Sequence, residues 1–367
     1  MRFLTKIRRK GFFWLVKRIT REYKSPVDKR VVFLRSFVNR VKYMLSLQYF
    51  QHSSYDKEEI IAVYDLNNEA ITFDFAHFIA SAEAYAIKKN KGFVVWIIER
   101  DNSQHETYEL YDDVVDDDDK QWRFKNIILP LVGLYPACSG FSVFPNKMAI
   151  KGSLKGKWVY PEGYDAKNYL PRMTYDKVMK LLESGAFTGF RADKQGLRYI
   201  KLWLKENDCT RKTVTITIRQ YGYDESRNSN INEWIKFADW LILAGYSPIF
   251  VLDTGISFIK DKRFDGYTVF NEISWNLNLR MALYEEAFVN FVSAGPGTIA
   301  QLNKKVRYIN MEMYSEGSLE ASLEVFEEYG LELGQRRYPF AGQYQLISWK
   351  EGIFENILSE FNEFEKL

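Results

Sequence analysis

The sequence predicts an α/β protein made of two doubly wound sheet domains behind a basic amphipathic segment. Three observations carry that expectation. At 367 residues the chain is longer than a single hydrophobic core usually supports. Its composition, 46% hydrophobic and 16% aromatic, excludes a disordered chain and demands a large buried interior. Short apolar runs alternate with helix-period segments from residue 58, and the alternation restarts after Cys209–Lys212. The expected divisions are therefore residues 1–57, a first domain over 58–208, a second over 209–345, and a C-terminal helix in 346–367 that can cross back.

The first element is set apart by charge. Met1–Lys42 hold 14 Lys and Arg against two Asp and Glu, which leaves the rest of a +3 chain net acidic. In Arg2–Ile19, Leu4, Ile7, Gly11, Trp14 and Leu15 recur at helical spacing, with Arg2, Lys6, Arg9, Lys10 and Lys17 largely opposite. Past Pro26, the stretch Arg30–Phe50 repeats the mixture with Val31, Val32, Leu34, Phe37, Val38, Tyr43 and Met44. Such helices suit the surface of an anionic bilayer, and the alternative is that they pack on the chain's own domains with their cations in water. No zinc spacing, ribonucleoprotein motif or glycine-arginine repeat supports a nucleic-acid arm. Only Cys138 and Cys209 are present, too few for a disulfide framework, and neither a signal peptide nor a run of ~20 apolar residues is seen. The expected location is the cytoplasm, with peripheral attachment to the inner face of the cell membrane through residues 1–50.

In the first domain, Ile60–Tyr64 reads as a buried strand ending at Asp65, Phe73–Lys89 as a helix, and Phe93–Ile98 as the next strand. The connection is long enough for a parallel crossover, so Asp65–Phe75 falls at a strand's carboxyl end, where open α/β sheets bind ligands. Trp122–Leu134 reads as helical, Phe141–Pro145 as a strand end, and Gly152–Tyr169 as irregular. Helices follow at Tyr175–Glu183 and Leu197–Lys205.

The second domain opens with the strand Val214–Ile218, then a helix over Asn230–Ala244 stopped by Gly245, and the strand Ser247–Leu252. A helix over Leu277–Glu286, the strand Phe288–Val292, the turn Ser293–Thr298, a short helix to Asn303 and the strand Arg307–Met311 complete it. Glu351–Lys366 reads as the closing helix.

The turn Ser293-Ala294-Gly295-Pro296-Gly297-Thr298 joins a buried strand to a helix, so its backbone N–H groups can receive a phosphate, or it is a plain connection. It has neither G-x-G-x-x-G nor a Walker lysine. Arg219 directly follows the strand Val214–Ile218, and Arg227 sits in the next polar loop, where guanidinium groups can hold a pyrophosphate. The competing role for Arg219 is an ion pair with Asp224, Glu225 or Asp253. Asp253 and Glu272 can accept ribose or sugar hydroxyls, or serve as a turn cap and a surface carboxylate. Asp74 and His77 are three apart on one helical face, so either can take a proton from an acceptor hydroxyl, or they are a helix cap and a core histidine.

The run Tyr111–Lys120, with Asp112, Asp113 and Asp116–Asp119, is similar to a metal-binding D-x-D only in composition. It follows just Val114-Val115 rather than a hydrophobic strand and reads as a solvated loop. No G-x-S-x-G elbow, H-E-x-x-H or Cys/His cluster is present.

Thr215–Arg219, Arg227–Asn230, Pro248–Thr254 and Phe291–Thr298 resemble the donor domain of GT-B glycosyltransferases encoded with bacterial surface polysaccharides. The resemblance covers roughly residue 58 to the C-terminus and is stronger in the second half. It extends distantly to fucosyltransferases, although Arg219-Gln220 stands where those enzymes have a basic dipeptide. Lys10–Trp14 is similar to the basic leaders of membrane-associated enzymes of such gene clusters. The resemblance implies two Rossmann-type domains facing a cleft and a nucleotide sugar held by the second. A polysaccharide or lipid-linked saccharide acceptor would be held by the first, and transfer would need no metal and no cofactor beyond the donor. The alternatives are a UDP-sugar epimerase of the same fold, or a non-catalytic membrane- or nucleic-acid-binding protein.

Overall fold

A computed structural model describes residues 29–50, 59–100, 115–166, 175–209, 211–222, 224–293, 295–318 and 321–367. The Arg2–Ile19 segment, His52, His105, Asp112 and Asp113 lie outside the described residues. The expected α/β architecture is present as two separate sheets, four-stranded and six-stranded.

In chain order the elements that matter here are α1 (Lys29–Phe50), β1 (Glu59–Asp65), α2 (Asp74–Lys88) and β2 (Gly92–Ile98). Then come α3 (Asp117–Arg123), β3 (Cys138–Phe144), β4 (Val159–Tyr160), α4 (Tyr175–Leu182) and α5 (Lys194–Glu206). The second sheet contains β5 (Thr213–Thr217), β6 (Ser247–Val251), β7 (Thr268–Val269), β8 (Val289–Val292), β9 (Tyr308–Asn310) and β10 (Gln345–Ile347). Its helices include α6 (Ile231–Leu243), α7 (Leu277–Glu286), the single turn α8 (Thr298–Gln301) and α9 (Phe354–Glu365).

By contacts the chain forms two units that interleave in sequence. Of the described residues, the first draws on 29–50, 59–69, 91–100 and 140–166 and holds the four-stranded sheet, ordered β3-β2-β1-β4. β1 pairs in parallel with both β2 and β4, because strands joined by long crossovers cannot close as hairpins. Its apolar cluster includes Ile61, Val63, Ile98, Ile150, Val159 and Tyr164, together with Tyr43 from α1. The Tyr43 hydroxyl accepts a bond from Val159 N at 2.9 Å, and Arg40 pairs with Glu162 at 3.5 Å, so α1 is fastened along β4. Asp65 closes β1 and is saturated with donors: Tyr164 Oη at 2.8 Å, Lys147 Nζ at 2.9 Å and Asn67 Nδ2 at 2.8 Å. Burial and then the charge of Asp65 push the Tyr164 phenol well up, which keeps it a neutral donor.

The second unit holds the remaining described residues, including α2, in which every residue from Phe75 to Ala86 is buried. Its sheet runs β10-β9-β8-β5-β6-β7 with all pairs parallel, the doubly wound order in which the chain winds outward from β5 to one side and from β8 to the other. Thr215 and Asn290 face each other across the β5–β8 pair and bond at 2.6 Å between side chains. Val214, Ile216, Phe237, Phe291, Ile357 and Phe361 form the main core, so the C-terminal helix α9 packs on this sheet.

The structure corrects the reading of Asp116–Asp119 as a loop. Asp116 caps α3, accepting from Asp119 N at 2.8 Å, and Asp117–Asp119 form its first turn, where the helix dipole favours negative charge. The stretch expected to be irregular contains β4, and β7 and β10 add short strands that the sequence did not announce.

Candidate functional site

The site is built where β5 and β8 end side by side, since that is the point at which strand order reverses and ligands meet the carboxyl ends of a doubly wound sheet. Arg219 follows β5 by two residues and is anchored by its own backbone. Its N–H donates to Ser229 Oγ at 3.0 Å, and its carbonyl accepts from Ser229 N at 2.9 Å. Gln220 ties the same loop to the end of β6, donating from N to Asp253 Oδ2 at 3.2 Å and from Nε2 to Ser229 O at 3.0 Å.

The guanidinium of Arg219 uses one nitrogen to hold the loop and keeps the others available. Nη1 donates to Asp224 O at 2.9 Å and to Asn228 Oδ1 at 2.7 Å, whereas Nε and Nη2 make no hydrogen bond among the described residues. Neither is it in a salt bridge there: its link to Asp224 runs through a backbone carbonyl, and the Asp253 carboxylate takes amides instead. Burial lowers the Arg219 pKa, the neighbouring Arg227 lowers it further, and Asp253 and Asp224 oppose them. Two guanidinium groups that repel each other in a partly desolvated loop gain from an anion placed between them. Burial works against ionised Asp224, but hydrogen bonds from Ser226 and Ser318, each 2.6 Å, and the charges of Arg227 and Arg219 hold its carboxyl below the ordinary value.

The turn Ser293–Thr298 follows β8, the neighbour of β5. Gly295 has φ +77°, a conformation that favours glycine, and a Cβ there would meet no atom within 4 Å. Gly297 is needed for a different reason, because a Cβ would stand 2.2 Å from Ser293 O. Thr298 N donates back to Gly295 O at 3.0 Å, while the amides of Gly295 and Gly297 have no acceptor among the described residues. Ser293 Oγ is buried without a partner there. Ala294 lies outside the described residues.

The other expected residues divide. Asp253 is at the site's edge, with Oδ1 capping Thr254 N at 3.2 Å and Oδ2 holding Gln220. Glu272 is exposed in the turn Asn271–Ser274, where its carbonyl accepts from Trp275 N at 3.1 Å and its carboxylate has no hydrogen bond or ion pair among the described residues. Asp74 and His77 sit together on α2 with Tyr175: the tyrosine hydroxyl donates to Asp74 Oδ1, and the His77 ring meets the Tyr175 ring edge-on at 5.5 Å. Tyr175 in turn stacks on Tyr329 at 4.1 Å. None of the contacts of Arg219 is to Asp74 or His77.

Three residues with no part in the sequence expectation, Tyr221, Arg123 and Arg280, add to the charge around the site. Tyr221 carries two guanidinium groups, with Arg219 Cζ 5.8 Å and Arg123 Cζ 5.5 Å from its ring centroid, and accepts Arg123 Nη2 at 2.9 Å. Arg280 is only 2% exposed and has no ion pair among the described residues; it donates to Ile273 O at 3.2 Å and, weakly, to Leu252 O at 3.5 Å. A signal was available for Arg280, since it shares the apolar face of α7 with Leu277, Met281 and Tyr284. None was available for Arg123, which is 98 positions from Tyr221.

No protein-family model and no curated protein matches the chain. Among solved structures, the chain is similar to the ADP-heptose LPS heptosyltransferase II of E. coli, with 8% identity, TM-score 0.44, and coverage of 84% of this chain and 98% of that one. It is also similar to a glycosyl transferase family 9 protein from Veillonella parvula DSM 2008, with 9% identity, TM-score 0.37, and coverage of 71% and 82%. The E. coli heptosyltransferase WaaC with ADP gives 9%, 0.36, 83% and 99%.

Proposed function

We propose that the chain is a GT-B-type glycosyltransferase that moves a sugar from a nucleotide-sugar donor to a polysaccharide or lipid-linked saccharide. The observation that carries this reading is the placement of a half-committed guanidinium, Arg219, and an amide-bearing glycine turn on neighbouring strands at the reversal of strand order. Among common ligands, a diphosphate matches that donor set: planar paired N–H groups on one side and backbone N–H groups on the other.

In the reaction, an acceptor oxygen attacks the anomeric carbon as the bond from that carbon to the diphosphate breaks. The acceptor proton passes to Asp74 or His77, the two titratable groups gathered around Tyr175. Charge growing on the leaving diphosphate is met by Arg219, preorganised by its Ser229 and Asn228 bonds, by Arg227, and by the amides of Gly295 and Gly297. Asp253 and Glu272 remain the acceptors for sugar or ribose hydroxyls. Ser293 Oγ and Thr298 belong to the diphosphate turn. The nucleotide sugar is the co-substrate and no further cofactor is assigned.

The test is a thermal-stabilisation screen of nucleotide sugars against the full chain, followed by product analysis with and without a saccharide acceptor and with and without EDTA. A stabilising donor that releases its nucleoside diphosphate only with an acceptor supports transfer. Conversion of the free donor without an acceptor supports epimerisation, and a donor panel that never stabilises the protein rejects the reading.

A further inference from the structure

We infer that α1 is a membrane-docking helix whose apolar stripe lies in the headgroup boundary of an anionic bilayer. Its large apolar side chains are on the outside: Phe33 is 73%, Leu34 64% and Phe37 59% exposed, with Val38, Val41, Met44 and Leu45 exposed beside them. At about 100° per residue they form one continuous stripe roughly 140° wide, with Phe33, Met44 and Phe37 along one side, Val41 and Leu34 central, and Leu45 and Val38 along the other. A soluble surface rarely gathers so many large apolar groups without a partner.

Charge selects that partner. On the same wheel, Arg40 borders the stripe next to Phe33, and Lys42 borders it next to Val38, so both edges carry an exposed cation. This is the arrangement in which apolar side chains enter the acyl boundary while flanking cations remain among anionic headgroups. Met1–Asp28 add nine Lys and Arg against two Asp and Glu immediately before the helix. Among the described residues no helix is long and apolar enough to cross a membrane, so the mode assigned to α1 is to lie on the surface.

The opposite face is fixed to the first unit. Asn39 and Tyr43 are buried, the Tyr43 hydroxyl meets Val159 N, Arg40 meets Glu162, and a Cβ on Gly163 would stand 3.4 Å from the Asn39–Arg40 backbone. Position 43 of α1 therefore lies at the start of β4, and positions 39–40 lie past its end. The helix runs antiparallel to the strand, and its Phe33–Leu34 end points toward the carboxyl end of the first sheet. This assignment is independent of glycosyl transfer; resting on that reading, it further places a lipid-linked acceptor next to that sheet end.

The full chain should cosediment with phosphatidylcholine vesicles containing phosphatidylglycerol, more weakly with phosphatidylcholine alone, and less at high salt. Leu34→Glu/Phe37→Glu should lower the partition by on the order of tenfold or more, and Lys42→Glu should lower only the anionic preference. Retained circular dichroism and thermal midpoint exclude misfolding of these exposed positions, and unchanged nucleotide binding separates this test from the functional reading. Undiminished pelleting of the double variant overturns the inference. So does a vesicle-free dimer in the native chain that dissociates in the variant, since the stripe would then belong to a second copy.

Discussion

Replacing Arg336 with methionine should destabilise the second unit by about 2–3 kcal/mol at neutral pH. The reason is Glu360 on α9, whose side chain is fully buried and receives Arg336 Nη1 at 3.0 Å and Nη2 at 2.6 Å, with Lys350 Nζ at 3.0 Å. Removing one partner of a buried ion pair typically costs about 3–5 kcal/mol; here Lys350 stays and Arg336 is itself about one-third exposed, which discounts the loss to about 2–3 kcal/mol. Burial pushes the Glu360 carboxyl up, but the hydrogen bonds from Arg336 and Lys350 outweigh it and hold the group below its ordinary value. Such a carboxylate stabilises the fold fully above its unfolded value of about 4.3, and the contribution is lost as pH falls through the lower folded value.

The penalty of Arg336→Met is therefore complete at pH 7 and shrinks below about pH 4. Glu360→Leu should cost only about 1 kcal/mol, because Arg336 can turn to Glu363 and water, and the double variant should return to within about 1 kcal/mol of the parent. Urea unfolding at pH 7 and at about pH 3, with m-values checked for constancy, measures the cycle. Additive single effects, or a penalty equal at both pH values, would show that Glu360 does not depend on Arg336 as an ion-pair partner.

Gly189→Ala should destabilise by about 2–4 kcal/mol, since φ is +78° and a Cβ would stand 2.1 Å from the Leu302 carbonyl, backbone that has little room to move; a urea midpoint within error of the parent contradicts this. Arg280→Met should weaken nucleoside diphosphate binding about three- to tenfold, because a buried cation without an ion-pair partner among the described residues raises the potential behind the end of β6. Arg280→Lys should retain most of the affinity by titration calorimetry, and equal losses in both variants would point to packing instead.

Strands with long β-branched runs were legible. Val214–Ile218 announces itself because five consecutive residues suit a buried strand, and Arg219 could be singled out as the first charge beyond it. β4, β7 and β10 were not legible, because segments of two or three residues become strands only when a longer neighbour offers free hydrogen-bonding groups. Asp116–Asp119 misled because capping and dipole effects favour the same acidic residues that solvated loops do. The glycine turn was readable as a turn, but the separate duties of Gly295 and Gly297 depend on where Ser293 O lies in space. The Arg123–Tyr221–Arg219 arrangement depends on a contact between distant segments, which no local pattern encodes.

Whether Arg219 and the turn after β8 hold a diphosphate is measured by titration calorimetry of ADP, UDP and GDP into the native chain, Arg219→Ala and Arg219→Lys. At least one nucleotide should bind the native chain. Arg219→Ala should weaken that binding on the order of a hundredfold while the protein stays folded, and Arg219→Lys should recover only part, since an ammonium lacks the paired planar donors. A folded Arg219→Ala variant that binds the same nucleotide with native affinity would contradict the account.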